Sequence, residues 1–466
     1  MKKINYSYLI LISLVSAMGG LLFGYDWVVI GGAKPFYEPF FDIVDSPAMQ
    51  GWAMSSALIG CLVGALLAGQ FSDRYGRKKM LILAAALFVA AAVGTGAVSS
   101  FSMFIVYRVL GGFAIGIASN LSPMYIAEIS PAELRGRFVS MNQLTIVLGI
   151  LAAQITNWLI ADPVPQGMTA GAISESWNGQ MGWRWMFWAG NVPAVLFFIF
   201  AFLIPESPRW LALHGRREQA VRVLAKIGGA EYAAEAYRTM QETVVEEDRN
   251  SPPLRGGFRQ LLHPSMRKVL IIGIVLAVFQ QWCGINVIFN YAQEIFNAAG
   301  YGISDTLMNI VVTGVTNVVF TLVAIFLVDR IGRRPLLLFG AGGLTLIYLL
   351  MGAAYYFSLS GVALLIIVVM AIACYAMSLA PIMWVVVSEI FPNAVRGVAM
   401  SVATFALWAA CFILTYTFPL LNSALGAAGT FWIYGMICLV GFLFIWKRVP
   451  ETKNKTLEEL EKELIK

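Results

Sequence analysis

Amide side chains are concentrated in one apolar stretch of the sequence, residues 268–297. An amide both donates and accepts hydrogen bonds, so such a set suits a neutral ligand that carries many hydroxyl groups. On one straight helix Gln281 and Asn286 would point roughly 140° apart, whereas a break at Gly284 would let both face one cavity. The alternative is that the amides only hold neighbouring helices together. The stretch includes the polar residues Gln280, Gln281, Asn286, Asn290, Tyr291 and Gln293.

Asp26, near the N-terminus, and Arg108, further along the chain, are charged side chains inside apolar stretches. A charge inside a membrane is costly unless it is paired. We therefore expect Asp26 and Arg108 to be partners of each other. The pair could take part in function, or it could be a static ion pair that only orders the helices.

Charged residues between the apolar stretches form two motifs, and each motif occurs twice in the same order. Asp73 and Arg77 recur as Asp329 and Arg333, and Glu128 with Arg135 and Arg137 recurs as Glu389 with Arg396. The recurrence predicts that the two halves of the chain are duplicates. Opposite charges at facing helix ends can hold one side of a protein closed and separate when it opens. The alternative is that these charges only set topology and cap helices.

Composition places these motifs in a membrane protein. Hydrophobic residues make up 59% of the 466 residues and charged residues 12%, against roughly 45–50% and 25% in soluble domains. A membrane-spanning helix needs roughly 20 mostly apolar residues, so we predict an all-α membrane protein with six spans on each side of a polar segment at 205–267. The apolar stretches are 8–31, 51–71, 80–99, 102–125, 138–161, 184–204, 268–297, 306–328, 335–357, 361–388, 397–420 and 428–446.

The distribution of Lys and Arg predicts the orientation of these helices. Of the 32 Lys and Arg residues, only Lys34 and Arg184 are expected in loops on the side opposite the chain ends. Positively charged loops face the cytoplasm, so both ends and the polar segment are predicted to be cytoplasmic. The topology then explains the net charge of +6. The positive charge therefore no longer argues for binding to nucleic acid.

The remaining composition disfavours catalysis and metal binding. The five cysteines lie in apolar stretches without the spacing of metal ligands, and we interpret them as small hydrophobic residues. The predicted spans carry no convergent cluster of His, Asp, Glu or Cys, and the sequence has no nucleotide-binding loop. We expect neither a cofactor nor an enzymatic activity. The first apolar stretch has no cleavage site, so we interpret it as a span and not as a signal peptide.

Taken together, the motifs resemble those of sugar porters of the major facilitator superfamily, over essentially the whole chain. The doubled loop with Asp73 and Asp329 marks the superfamily. Pro205-Glu206-Ser207-Pro208-Arg209 and Pro450-Glu451-Thr452-Lys453 are typical of sugar porters, although Asn454 stands where that family usually has Gly. The resemblance implies two six-helix bundles, at 1–204 and 268–447. A cytoplasmic linker with short helices at 205–267 would join them, and a cytoplasmic tail at 448–466 would follow.

The resemblance also implies roles for individual residues. Proton-coupled members carry Asp at the position of Asp26, where facilitative carriers usually carry Asn, so Asp26 and Arg108 are implied to couple the proton. Tyr291 matches a gate residue. Leu407 stands where many members have a polar residue, so the identity of the sugar is not transferred. The residues implied to bind sugar are Gln143, Gln280, Gln281, Asn286, Asn317, Trp384 and Trp408. The residues implied to form a conformational latch on the cytoplasmic side are Asp73, Arg77, Glu128, Arg135, Arg137, Asp329, Arg333, Glu389 and Arg396.

We therefore predict a secondary active transporter that imports a monosaccharide, a pentose or a hexose, with a proton by alternating access. Its partners would be the sugar, the proton and the lipid bilayer. It would act as a monomer in the cell membrane, which in bacteria is the inner membrane. A proton-independent sugar uniporter is the main alternative. A sugar sensor would typically carry a long cytoplasmic tail, whereas only about twenty residues follow the last apolar stretch.

Overall fold

A computed structural model describes residues 4–131, 134–250, 263–359, 361–391 and 396–453. Within these ranges the regular secondary structure is helical and contains no strand, so the prediction of an all-α protein is confirmed. In the first half of the chain a π-helical segment, Asn178–Gly182, precedes α7. The α-helices of this half are α1 (Tyr6–Phe40), α2 (Pro47–Tyr75), α3 (Arg77–Ala97), α4 (Phe101–Ile129), α5 (Arg135–Ile160), α6 (Ala170–Glu175), α7 (Trp183–Ala189) and α8 (Asn191–Ala201).

Two helices follow in the polar middle segment, α9 (Pro208–Leu213) and α10 (Arg217–Asn250). Ser207 caps α9, because its hydroxyl accepts a hydrogen bond from the Trp210 N–H. The helices of the second half are α11 (Pro264–Trp282), α12 (Ile285–Asn290), α13 (Ala292–Asn297), α14 (Ile303–Ile331), α15 (Arg333–Tyr356), α16 (Val362–Met377), α17 (Leu379–Ile390) and α18 (Arg396–Arg448).

Eleven helical stretches among the described residues are long and apolar enough to cross a membrane. The last of them, Val398–Arg448, is 51 residues long and is interrupted at Gly426, so it supplies two crossings. Six crossings thus precede the middle segment and six follow it. This is the predicted arrangement of two six-helix bundles.

The duplicated loops are tight turns between neighbouring helices. Gly76, between α2 and α3, and Gly332, between α14 and α15, have φ angles of 97° and 107°, which glycine adopts without steric cost. The glutamates of the two signature motifs cap the helices that follow these turns. Glu206 accepts a hydrogen bond of 2.8 Å from the first N–H of α3, and Glu451 accepts one of 3.0 Å from the first N–H of α15. An anionic group stabilises a helix N-terminus.

The environment of Glu451 also changes its protonation. Burial alone would raise the pKa of Glu451, but backbone N–H groups of Lys453 and of the α15 N-terminus donate to its carboxylate and hold that pKa below its usual range. The pKa of Glu451 is thus lower in the folded protein than in the unfolded chain. Its carboxylate therefore stabilises the folded protein at pH values above the pKa that it has in the unfolded chain. The contribution is lost as the pH falls towards the lowered value.

Hydrogen bonds tie the first and last described residues and the middle segment to one another or to the helix ends at the duplicated loops, on one face of the molecule. The Asn5 N–H donates to the Ile227 carbonyl of α10 at 2.7 Å, and the Trp210 indole donates to the Asp73 carbonyl at 2.8 Å. The Lys453 ammonium donates to the carbonyl of Arg330, at the end of α14, at 2.7 Å. We call this end of the helix bundle the near face and the opposite end the far face.

The structure corrects the expectation that Lys34 and Arg184 lie in loops. Lys34 lies inside α1, which continues to Phe40, and Arg184 lies in α7. Both residues are buried, with 4% and 8% exposure. Arg184 donates to the carbonyls of Gly96 and Val98 at 2.7 and 2.5 Å. These carbonyls end α3, and a cation is favourable at a helix C-terminus. Both charges are thus buried within helices and do not lie in loops.

Candidate functional site

The amide-rich stretch is a broken helix, as predicted. α11 ends at Trp282 and α12 begins at Ile285. Gly284 between them has a φ of 85°, in the left-handed region that side chains with a Cβ rarely adopt. A Cβ at this position would also lie 2.9 Å from the Tyr434 ring. The break is therefore specified both by the backbone conformation and by the packing of α18.

The break brings three predicted binding residues together. The Asn286 amide donates to the Gln281 amide oxygen, and Gln281 in turn donates to the Gln280 amide oxygen at 3.0 Å. Gln280 donates to the Ala380 carbonyl of α17 at 3.5 Å. Gln280 and Gln281 are 5% and 8% exposed. We call Gln280, Gln281 and Asn286 the amide chain; its bonds can be exchanged for bonds to ligand hydroxyl groups.

The other predicted binding residues lie on four surrounding helices. Gln143 on α5 and Trp384 on α17 are half-buried, and Asn317 on α14 is buried. Between the described residues, no hydrogen bond joins these side chains to the amide chain. Trp408 on α18 reaches across to the first half of the chain, and its ring centroid lies 6.0 Å from that of Trp27 on α1. The neighbouring Leu407 is buried and apolar.

The two intramembrane charges form the predicted ion pair. The Arg108 guanidinium of α4 lies 3.0 Å from the Asp26 carboxylate of α1, with side chains that are 3% and 16% exposed. Arg108 also approaches the Asp26 backbone carbonyl at 3.4 Å. Only one oxygen of the Asp26 carboxylate, Oδ1, accepts a hydrogen bond from Arg108. The other oxygen, Oδ2, is buried without a described hydrogen-bond partner. The pair adjoins the Trp27–Trp408 contact between the two halves.

The charged near-face residues are paired within each half. Arg77 lies 3.0 Å from both Asp73 and Glu128, all in the first half. In the second half Arg333 lies 3.3 Å from Glu389. Asp329 and Arg396 correspond in the repeat to Asp73 and Arg135, and their side chains fall outside the described residues.

The remaining two latch candidates differ in their partners. Arg135 donates to the Ala127 carbonyl at 3.1 Å, which holds it against the end of α4. Arg137 is exposed, and no ion pair involving it is seen in the part of the chain that the structure describes.

The far face carries an ion cluster that the sequence analysis missed. Lys34 of α1 lies 2.9 Å from Glu38 of the same helix and contacts Glu294 of α13 in the second half. The predicted gate residue Tyr291 lies nearby, fully buried, with the Lys34 ammonium 5.7 Å from its ring centroid. Its hydroxyl donates to the Thr415 carbonyl of α18 at 2.6 Å. The four-residue spacing of Lys34 and Glu38 was a signal that the helix continues past the apolar stretch.

The far face is closed between the two halves. Besides the Lys34–Glu294 pair, the Val164 N–H donates to the Ser304 hydroxyl at 2.9 Å, and the Trp52 and Phe412 rings lie 6.5 Å apart. At the near face, no described hydrogen bond or ion pair joins the two transmembrane halves directly. The two halves are therefore in contact at the far face, and this side of the protein is closed.

Comparisons with known proteins assign the family. The family model described as "Sugar (and other) transporter" matches residues 12–464. The chain belongs to this family. This sugar transporter is 38% identical to the arabinose-proton symporter of Bacillus subtilis over 463 residues, covering 99% of this chain and 96% of the relative. It is 39% identical to the D-xylose-proton symporter of Escherichia coli K12, covering 98% and 96%.

Solved structures share the fold of the whole chain. The sugar transporter matches the inward open conformation of the E. coli xylose transporter XylE with a TM-score of 0.86 and 36% identity, over 98% of this chain and 100% of that one. The match to XylE bound to 6-bromo-6-deoxy-D-glucose has a TM-score of 0.79 and 38% identity, over 99% and 100%. The chain is thus a major facilitator membrane transporter and not an enzyme.

Proposed function

We propose that this transporter imports a pentose or hexose together with a proton by alternating access. The observation that carries the proposal is the buried ion pair of Asp26 and Arg108, 3.0 Å apart, in a protein that also holds an amide chain suited to hydroxyl groups. The names of the relatives, arabinose-proton and D-xylose-proton symporter, support the same function. The proton-independent uniporter is the rival that the experiments below exclude or establish.

Sugar binding would use the amide chain. Gln280, Gln281 and Asn286 already have donors and acceptors in series, so a sugar can replace the internal hydrogen bonds without leaving a buried polar group unpaired. The Trp384 and Trp408 rings offer flat apolar faces for the C–H groups of the sugar, and their indole N–H groups can donate to hydroxyls. Gln143 and Asn317 would contribute from α5 and α14. The two bundles would thus both contact the sugar.

Proton binding would act through Asp26. A proton on Asp26 neutralises its carboxylate and removes the attraction to Arg108. Because Trp27 follows Asp26 and contacts Trp408 of the other half, a shift of α1 is transmitted to the sugar-lining helix α18. Proton binding and conformation are then linked, as coupled transport requires.

The direct test measures uptake by the purified protein in proteoliposomes. We expect labelled pentoses or hexoses to accumulate when the outside is acidic, and a protonophore to abolish the accumulation. Equilibration of the sugar without accumulation, with or without the protonophore, would identify a uniporter instead. No sugar flux at all, in a protein that still binds sugar, would identify a sensor.

We further propose that the near face is cytoplasmic and that the protein works as a monomer in the cell membrane. Both proposed bundles that surround the amide chain belong to one chain, so no second copy is needed to complete the site. The excess of Lys and Arg outside the far face supports the orientation. The proposed bundles comprise 1–204 and 268–447, with the linker and tail on the cytoplasmic side.

Single cysteines test this orientation. We expect a cysteine at Ser174, in α6 at the far face, to react with a membrane-impermeant maleimide added to intact cells. A cysteine at Arg222, in α10, should react only after the membrane is opened. The five native cysteines are buried, so the unmodified protein serves as the blank. Reaction of both positions from the same side would refute the topology.

We also propose that the near-face charges act as a latch that holds that side closed during part of the cycle. Arg137 is exposed and has no described ion pair in the observed arrangement, so Arg137→Ala should leave this arrangement intact and weaken the one in which the near face is closed. We expect a smaller share of the protein to have a closed near face at rest. Increased reactivity of a cysteine placed between the halves on the near-face side of the amide chain, the cavity cysteine, measures the shift.

The matched control for the latch is Lys447→Ala, which removes one exposed positive charge from the near-face end of α18. This change should leave the reactivity of the cavity cysteine as it was. If well-folded Arg137→Ala protein shows the same reactivity as the parent, the motif residues serve topology alone.

A further inference from the structure

The ion cluster at the far face joins the two halves through a buried lysine. The Lys34 ammonium lies between the carboxylates of Glu38, at 2.9 Å, and Glu294, which it contacts directly. The side chains are 5%, 9% and 24% exposed in the order Lys34, Glu38 and Glu294. Glu38 belongs to α1, like Lys34, whereas Glu294 belongs to α13 in the other half.

The backbone around this cluster is closely packed. A Cβ added to Gly31, one turn before Lys34, would lie 3.0 Å from the Asn290 carbonyl at the end of α12. The Tyr291 ring covers the ammonium at 5.7 Å. Water is therefore largely excluded from Lys34, whereas Glu294 stays partly exposed. We call this contact of α1 with α12 and α13, containing Gly31, Lys34, Asn290, Tyr291 and Glu294, the far gate.

Opening the far gate must separate Lys34 from Glu294, because the two residues lie on different halves. A buried charge that loses its partner is strongly destabilised. Glu38 avoids this outcome, because it lies four residues from Lys34 on the same helix and moves with it. Lys34 thus has one partner that leaves when the gate opens and one that stays.

We propose that Lys34 and Glu294 form the ionic lock of the far gate, and that Glu38 is the partner that makes the lock reversible. In the closed gate Lys34 bridges both carboxylates. In the open gate Lys34 keeps Glu38 alone, so that no charge is stranded on α1. The two carboxylates have opposite effects on opening: Glu294 opposes it and Glu38 assists it. This gate operates whether or not a proton is transported, so its test is independent of the coupling at Asp26.

Single-molecule fluorescence energy transfer can measure the opening rate of the far gate. Dyes are attached to cysteines at Glu175, the last residue of α6, and at Leu359, which follows α15, in purified protein in lipid nanodiscs; both residues are exposed and they belong to different halves. We expect Glu294→Gln to raise the opening rate, and Glu38→Gln to lower it, each by about fivefold or more, the lower end of typical coupling between sites. Both substitutions keep the size of the side chain and remove only its charge.

Opposite signs distinguish a reversible lock from a cluster that only stabilises the fold. If the two substitutions change the opening rate in the same direction, or leave it unchanged, the proposal is overturned. Sugar affinity and melting temperature are measured in parallel. A residue of the lock should not change the affinity of the amide chain for sugar, whether the gate is open or closed.

A charge exchange provides an independent test of the cross-half pair. Lys34→Glu alone should open the gate, because it places like charges opposite each other. Adding Glu294→Lys should restore the closed gate, because the attraction between the halves returns. Lys34→Met is the milder variant: it removes the ammonium without repulsion and should also raise the opening rate. A closed gate in folded Lys34→Met protein would refute the role of the lysine.

Discussion

Asp26→Asn is expected to abolish the accumulation of sugar against its gradient while sugar binding and counterflow exchange persist. Asn has the shape of Asp and resembles its protonated form in charge, so Arg108 loses an ionic partner in every state of the cycle. Because Asn does not bind a proton, this position can no longer link proton binding to the conformation of the protein. The coupling between proton and sugar is then lost. Uptake into proteoliposomes, at acidic and neutral outside pH, should stop at equilibration and should not respond to a protonophore.

The matched control is Asp45→Asn, which removes a carboxylate of the exposed loop between α1 and α2. Accumulation by this variant should equal that of the parent. Should Asp26→Asn protein still accumulate sugar when the outside is acidic, Asp26 would be only the structural partner of Arg108. Proton coupling, if present, would then have to use another group.

Gln281→Ala is expected to weaken sugar binding by about 5–150-fold, which corresponds to roughly 1–3 kcal/mol for hydrogen-bonding groups left unpaired in a closed cavity. Gln281 lies in the middle of the amide chain, where it accepts from Asn286 and donates to Gln280. Its removal takes away one donor and one acceptor and releases its two neighbours from their fixed orientation. Binding by the purified protein, followed by calorimetry or tryptophan fluorescence, gives the loss directly.

The rival role for this amide is to hold α11 and α12 together, and stability measurements separate the two roles. A binding residue lowers affinity with little change in melting temperature, whereas a packing residue lowers the melting temperature and keeps the affinity of the folded fraction. Gln180→Ala is the matched control. This exposed far-face amide donates to the Ser174 carbonyl at 2.8 Å, so its loss should change neither quantity greatly.

The local features of this chain could be inferred from its sequence because their causes are local. Apolar length alone indicates a membrane crossing, and the twelve predicted stretches correspond to the crossings of the fold. The break at Gly284 follows from one residue type, since its φ of 85° suits glycine. The pairing of Asp26 with Arg108 was predictable because both charges lie inside apolar stretches, where each needs a partner. The roles of the binding residues remain proposals that the variants above test.

Partners that are distant in sequence were decided by the tertiary structure. The sequence analysis ended the first span at residue 31 and assigned Lys34 to a loop, because a lysine normally ends an apolar stretch. The helix continues to Phe40, and Lys34 is buried there between Glu38 of the same helix and Glu294 from the other half of the chain. Likewise, the repeated motifs showed that Arg77 and Arg333 are equivalent, but not that each pairs within its own half in this state.

The difference has a physical origin. Hydropathy, glycine conformation and the spacing of residues on one helix are properties of neighbouring residues, so the sequence by itself determined the helices, their number and the broken α11–α12 pair. The energy of a buried charge depends on which groups surround it, and those groups come from helices that only the packing of the fold brings together. The closed far face and the lysine that bridges it were therefore decided by the tertiary structure.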